Sequence, residues 1–311
     1  MPNRALFLVE APLKSRYTKG MENSMKALLG DYRTISIVGM CKNAGKTTAL
    51  GRMIQACLGE RLGLSSIGRD GESLDLVTGT DKPPVLVPAG TIFATAEGLI
   101  PFCTVTRTVL SLSDAYTPLG RVAVLRAESA GGVQIAGPSS VEQMCGIAAD
   151  MRGFGAERIW IDGAIFRRSI ANPELCDAVV LAVGAAYHPD MARVVDDAGF
   201  ICDLMDLPLY DGGDGARVFG GALTDAAAAA LLREGTHTVV LADPSRALLS
   251  RAAYARLQRH GVTLCVARKP ALLFAAANPY SPYGAGFERA KFLGALREHL
   301  RVPVIDAKEA S

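Results

Sequence analysis

The sequence predicts an α/β protein: a mostly parallel sheet flanked by helices, with a β-rich insertion at about 77–137 and a C-terminal α/β portion. Three observations predict it. A short apolar run, Thr34-Ile35-Ser36-Ile37-Val38, leads into a loop bounded by glycines and then into the helical run Ala49-Leu50-Gly51-Arg52-Met53-Ile54. A second apolar run, Arg158-Ile159-Trp160-Ile161, closes at Asp162-Gly163. Beyond it, strand-like and helix-like runs alternate to the C-terminus, as parallel strands joined by crossover helices require.

The first strand and helix enclose Gly39-Met40-Cys41-Lys42-Asn43-Ala44-Gly45-Lys46-Thr47-Thr48. Strand, glycine loop ending in Gly-Lys-Thr, then helix is the context of a P-loop, the Walker A phosphate loop. Gly39, Lys42, Asn43, Ala44, Gly45, Lys46, Thr47 and Thr48 are its candidate nucleotide-binding residues. Gly45 lets backbone N–H groups approach phosphate without a Cβ in the way. Those N–H groups and the helix start favour an anion. Lys46 adds a point charge for the β- and γ-phosphates, and the Thr47 hydroxyl is placed to ligate Mg²⁺. Five residues separate the two glycines, where the common pattern has four.

A strand is expected at 62–68, with Asp70 just past its carboxyl end, where ligands gather in open α/β sheets. Asp70 reads either as a residue near the γ-phosphate or Mg²⁺, or as a turn residue in Arg69-Asp70-Gly71. Between 77 and 137 short β-rich runs follow at 85–87, 103–105, 122–125 and 133–135. Ser129-Ala130-Gly131-Gly132 is expected to connect a hairpin. Pro83 and Pro84 make a rigid loop beside Lys82, a residue for phosphate or a substrate carboxylate, or a solvated lysine.

A helix capped at Pro138-Ser139-Ser140 is expected over 140–152. The strand 158–161 then ends at Asp162, as a Walker B strand needs, with a carboxylate for a Mg²⁺-bound water. Arg167 and Arg168 are either phosphate contacts or a charged loop face. A parallel strand is expected at 178–183. Further on, strands are expected at 216–223 (weakened by Gly220-Gly221), 238–241, 262–267 and 302–306, and helices at 224–233, 246–260 and 290–300. Ala277-Asn278-Pro279-Tyr280-Ser281-Pro282-Tyr283-Gly284 is a Pro-rich turn after a strand, either a recognition surface or a plain surface turn.

Composition narrows the class. The chain has 311 residues, half of them hydrophobic, and a formal charge of +2. That supports a substantial core and makes nucleic acid an unexpected partner. No stretch has the apolar length of a membrane span. Residues 5–9 are too short an apolar run for a signal peptide core and are followed by Glu10. Met21 is a candidate start. Seven cysteines without a CxxC pair, and four dispersed histidines, suggest neither a disulfide framework nor a zinc site. The expected compartment is the cytoplasm. The expected division is a basic N-terminal segment, 1–31, a candidate for disorder; a P-loop domain, 32–188; and a C-terminal α/β domain, 189–311.

The long phosphate loop resembles that of the dethiobiotin synthetase and cobyrinic acid synthase branch of P-loop NTPases. In that branch an acidic residue stands where Asp70 does. Its Lys-Asn pair also resembles molybdopterin-guanine dinucleotide adaptor proteins. A wider set of segments resembles one family: the loop at 38–48, Gly137-Pro138-Ser139-Ser140, Ile161-Asp162-Gly163-Ala164 with Arg167-Arg168-Ser169, residues 177–185, Asn278-Pro279-Tyr280-Ser281-Pro282 and Val302-Pro303-Val304-Ile305-Asp306. That family is the ATPase subunit of the reactivating factor for lysine 5,6-aminomutase, an adenosylcobalamin and pyridoxal-phosphate enzyme.

The resemblance, over about 32–307, implies an Mg²⁺-ATPase that helps exchange damaged cobalamin in the mutase, with a second reactivase subunit as partner. Lys46 and Thr47 would hold nucleotide and Mg²⁺, Asp162 would orient the metal, and Asp70 would help position water. The chain has no Asp-x-His-x-x-Gly cobalamin motif. The alternatives are an ATP-dependent ligase that activates a small carboxylate, as dethiobiotin synthetase does, and a GTP-binding cofactor-assembly adaptor. No Asn-Lys-x-Asp guanine box is present, which favours adenine.

Overall fold

The protein is described by a computed structural model covering residues 25–67, 74–75, 80–81, 84–163, 172–213 and 215–308. Strand β1 (Thr34–Gly39) runs through the loop into helix α1 (Lys46–Ala56), and β2 (Leu62–Ile67) follows. The β-rich stretch holds β3 (Leu74–Asp75), β4 (Thr80–Asp81), β5 (Val85–Val87), β6 (Ile92–Ala96), β7 (Arg107–Thr117), β8 (Gly120–Ala127) and β9 (Gly131–Val133). Next come α2 (Val141–Gly153), β10 (Arg158–Gly163), β11 (Ala178–Gly184) and α3 (Met191–Met205). The C-terminal part holds β12 (Arg217–Phe219), β13 (Leu223–Thr224), α4 (Asp225–Arg233), β14 (Thr238–Leu241), β15 (Ala247–Leu248), α5 (Arg251–Arg259), β16 (Thr263–Val266), β17 (Ala271–Asn278), α6 (Arg289–His299) and β18 (Val304–Asp306).

Nine strands make the central sheet, in the order β18-β17-β11-β1-β10-β2-β6-β8-β7. All neighbours from β18 to β6 are parallel, and the last two pairings are antiparallel. The central strands β1, β2 and β11 are buried along their whole length. Their near-continuous apolar sequences follow, because a parallel sheet is covered on both faces.

The two faces divide the side chains with period two. Ile35, Ile37, Trp160 and Val180 point to the α1 face, where they share a core with Leu50, Met53 and Ile54. Ile159, Ile161 and Val179 pack under α2. Leu181, Val183, Ala275 and Ala277 pack under α3 and α6. Residues 25–29 form a helical turn on the α1 side, with Met25 and Leu29 in its core and Lys26 paired with Glu60 at 2.7 Å. The end of the basic N-terminal segment therefore belongs to the fold.

The stretch 77–137 is β-rich, and β6, β8 and β7 extend the central sheet beyond β2. The expected hairpin at 129–132 is corrected: β8 pairs with β6 and β7, while β9 pairs with β5. The tight turn lies at 117–120, where Gly120 supplies φ +103. Gly132 is small for packing instead, since a Cβ there would meet the Pro84 ring at 2.9 Å. Residues 103–105 are not a strand; they follow a 3₁₀ turn at Glu97–Phe102.

The strands after residue 189 fall in three sheets, the smallest being the pair β13 and β15. β17 and β18 join the central sheet, and β12, β14 and β16 form a small parallel sheet of their own. That small sheet packs with α4, α5 and the end of α3 around Leu204, Leu231, Val239, Leu257 and Leu264. The helix expected from 246 begins later, at Arg251, where the Ser250 hydroxyl accepts from the Ala253 N–H and caps it. Among the described residues, no helix is long and apolar enough to cross a membrane.

Candidate functional site

The loop at 39–45 leaves β1 at the middle of the sheet, flanked by β11 and β10. Its start is pinned by the Met40 N–H donating to the Ala182 carbonyl at 3.1 Å. Its end is Gly45, whose φ of +102 is reached easily only by glycine. The Lys46 side chain folds back over the loop: a Cβ on Gly39 would lie 3.1 Å from its Cγ, Cδ and Nζ. The loop is thus a closed ring of backbone with an ammonium group across its mouth.

Two strand-end residues and one residue of the Pro-rich turn, all distant in sequence, border that ring. A Cβ on Gly184, at the end of β11, would lie 2.7 Å from the Ala44 Cα. Asn278, at the end of β17, donates from Nδ2 to the Asn43 carbonyl at 3.3 Å, and its Cβ would lie 2.7 Å from a Cβ on Gly45. Tyr283 accepts from the Asn43 Nδ2 at 3.0 Å. Asn43 is the only non-glycine with positive φ among the described residues, at 63°. Asn tolerates this conformation better than most side chains, and the two hydrogen bonds hold it there. The Pro-rich turn therefore meets the loop, a relation that no local pattern in the sequence signalled.

The start of α1 differs from the other described helices. Ser140, Asp190, Thr224, Ser250 and Glu288 each cap their helix with a side-chain oxygen. Gly45 has no side chain to do so, and no acidic residue lies in the first turn. The first N–H groups and the positive end of the helix dipole are left for an anion. Lys42, Asn43, Gly45, Lys46 and Thr47 are half-buried around them, Ala44 is buried and Thr48 is exposed.

Comparisons with protein-family models, curated proteins and solved structures find no match.

Asp162 lies on the strand next to the loop strand. Its register partner on β1 is Ile37, which places its side chain on the α1 face. It is 5% exposed, and its Oδ1 has no hydrogen-bond partner among the described residues. A buried carboxylate oxygen without a partner costs free energy unless a cation or a bound water meets it. Among the described residues no three His, Cys, Asp or Glu side chains converge as a metal cage. Mg²⁺ needs none: it keeps several waters and takes one or two protein oxygens plus phosphate. The Thr47 hydroxyl and the Asp162 carboxylate fit that donor set.

Gly137, missed as a site residue in the sequence, lies against the carboxyl end of β2. A Cβ there would fall 2.1 Å from the Ser66 carbonyl oxygen and 2.7 Å from the Ser65 Oγ. Ser66 is the register partner of Asp162, so this close approach borders the carboxylate. Asp306, at the end of β18, is buried; its carboxylate accepts from Arg289 and from the Lys308 N–H, and its carbonyl from Arg52. Lys308 Nζ stands 4.3 Å from the centre of the Tyr280 ring.

Burial pushes the Cys41 thiol up to about 11, with the Lys46 charge acting weakly in the opposite sense. Near neutral pH it is a protonated packing group, not a thiolate nucleophile. Asp70, Lys82, Arg167 and Arg168 lie outside the described residues.

Proposed function

We propose that this protein is a Mg²⁺-dependent P-loop nucleoside triphosphatase that hydrolyses ATP. The carrying observation is the buried Oδ1 of Asp162, without a hydrogen-bond partner among the described residues, on the strand beside a glycine loop closed by Lys46. Anion and cation determinants thus lie on neighbouring strand ends, as a metal-bound polyphosphate needs. In this reading the loop N–H groups and Lys46 bind and neutralise the β- and γ-phosphates. The Thr47 hydroxyl and Asp162 would hold Mg²⁺ or its water, and the ion would offset phosphate charge. Asp70 keeps its proposed part in positioning water.

The resemblance of several segments to the reactivating factor's ATPase subunit suggests a more specific role. The protein would help an adenosylcobalamin-dependent aminomutase release damaged cobalamin, together with a second reactivase subunit. Nucleotide turnover can drive such a release only if the ATP and ADP states bind the mutase with different affinity.

The test is phosphate release from Mg·ATP and Mg·GTP, alone and with an inactivated adenosylcobalamin-dependent aminomutase. ATP turnover stimulated by the mutase, with its activity restored by fresh cofactor, is the expected result. Turnover that ignores the mutase but requires a small carboxylate would move the role to a ligase. No turnover of either nucleotide, under any of these conditions, would remove the triphosphatase itself.

A further inference from the structure

Behind the glycine loop, on the side of the sheet away from α1, lies a cavity of about 240 Å³. Its floor is the end of β1 and of β11, with Val38, Met40 and Leu181; its roof is α3, with Phe200, Ile201 and Leu204. The edge of the small C-terminal lobe closes one side with Pro244 and Ser245. Native interiors keep few voids larger than a water molecule. A wholly apolar cavity of about 150 Å³ is enough to hold benzene. This one therefore has room for an apolar body of about ten heavy atoms.

The rim of the cavity is polar and internally balanced. Asp197 accepts from the Tyr187 hydroxyl at 3.1 Å and from Arg251 at 2.8 Å. The Arg251 guanidinium also stands 5.7 Å from the centre of the Phe200 ring. Arg193, one turn before Asp197, lies 3.7 Å from it, and Asp196 lies 3.8 Å from Arg251. A net anion entering here meets Asp197 in the cavity wall; a net cation meets Arg251. Either would have to break a paired carboxylate and guanidinium that are partly withdrawn from water. An uncharged group can bond to the Tyr187 hydroxyl, the Ser245 hydroxyl or a spare carboxylate lone pair without breaking the pair.

We propose that this cavity, walled by the stem of the glycine loop and by α3, is a second ligand site. It takes a small molecule with an apolar body and one uncharged hydrogen-bonding end. It adjoins the glycine loop at Gly39 and Met40 but lies on the other face from the start of α1, since Val38 and Leu181 face the opposite side of the sheet from Ile37 and Val180.

The test uses the full chain without nucleotide, so that its outcome is independent of the triphosphatase reading. Three probes of one shape are titrated calorimetrically: 3-phenylpropanamide, 3-phenylpropanoate and 3-phenylpropylammonium. Saturable binding of the amide is expected, with the two charged probes at least about tenfold weaker. Ile201→Trp, which fills the cavity, should abolish amide binding. In the unaltered chain the methyl signals of Met40 and Met205, which both line the cavity, should shift with the amide while that of Met53, in the α1-side core, stays. This readout decides the matter if Ile201→Trp does not fold. No saturable amide binding, equal binding of a charged probe, or an equal shift at Met53 would overturn the proposal.

Discussion

The Asn278 side chain donates to the carbonyl of Asn43 at 3.3 Å, across 235 residues of sequence. Through this bond the end of β17 supports the one non-glycine residue of the loop in a left-handed conformation. The loop's shape is thus held from outside as well as by its own glycines. Asn278→Ala removes that bond and Tyr283→Phe the bond to the Asn43 Nδ2. Each neutral hydrogen bond contributes ~0.5–1.5 kcal/mol net. Each substitution should therefore weaken Mg·ATP-analogue binding by about two- to tenfold, read by calorimetry, with little change in melting temperature. Unaltered affinity in both variants would show that the loop holds its shape unaided.

Lys46→Ala should abolish nucleotide hydrolysis and leave the fold in place. The side chain is half-buried over Gly39 and contributes charge more than packing. The melting temperature should move by no more than a few degrees, about 1 kcal/mol. Hydrolysis at the parent rate would sink the assignment of the loop.

Asp162→Asn keeps the shape of the side chain and removes its charge. Mg²⁺-dependent turnover should fall by a factor of about 100 or more, the scale of a lost electrostatic contact, while nucleotide affinity falls less. Because the native Oδ1 is buried without a partner among the described residues, the substitution should also leave stability unchanged or slightly raised. Turnover as fast as the parent's, at the same Mg²⁺ concentration, would take Asp162 out of the metal shell.

Gly137→Ala should destabilise the fold. Its methyl group would fall 2.1 Å from the Ser66 carbonyl, and backbone cannot rotate aside as a side chain can. Overpacking of this kind costs ~1–3 kcal/mol, and chemical denaturation would measure it. Any relief must come from moving Ser66 or the 137 segment, next to Asp162, so turnover should fall as well. A stable, fully active variant would contradict the close approach.

Cys41 should resist alkylation at neutral pH. Its thiol is raised from an ordinary 9.0 to about 11, so its thiolate fraction at pH 7.5 is on the order of a hundredfold below that of a free thiol. The folded state keeps a proton that the unfolded state loses above pH 9, so this contribution falls as pH rises from about 9 to 11. Iodoacetamide labelling followed by mass mapping across that window should show the rate at Cys41 still climbing after free thiols have levelled off.

Much of the architecture was legible because its signals are local. The apolar run 34–38, the glycine loop and the helix after it appear as β1, loop and α1. Ser140 and Thr224 cap their helices as the sequence indicates. The hairpin expected at 129–132 failed for a physical reason. Two glycines there suggest a turn, yet neither has positive φ, and Gly132 is small because Pro84 lies against it. A glycine required by packing and one required by backbone conformation look the same in a sequence.

By itself the sequence determined most of the strand and helix segments, and that a glycine loop ending at Gly45 joins the first strand to a helix. These features depend on backbone preferences and on neighbours a few residues away. Only the tertiary structure decided that β17 lies beside β11, so that Asn278 and Tyr283 reach the loop. It likewise decided that Asp162 shares the α1 face with Ile37, and that Gly137 abuts the strand end beside it. Strand order and register are set by which apolar faces bury one another across the whole sheet. That choice depends on residues far apart in the chain, and it brings the candidate site together.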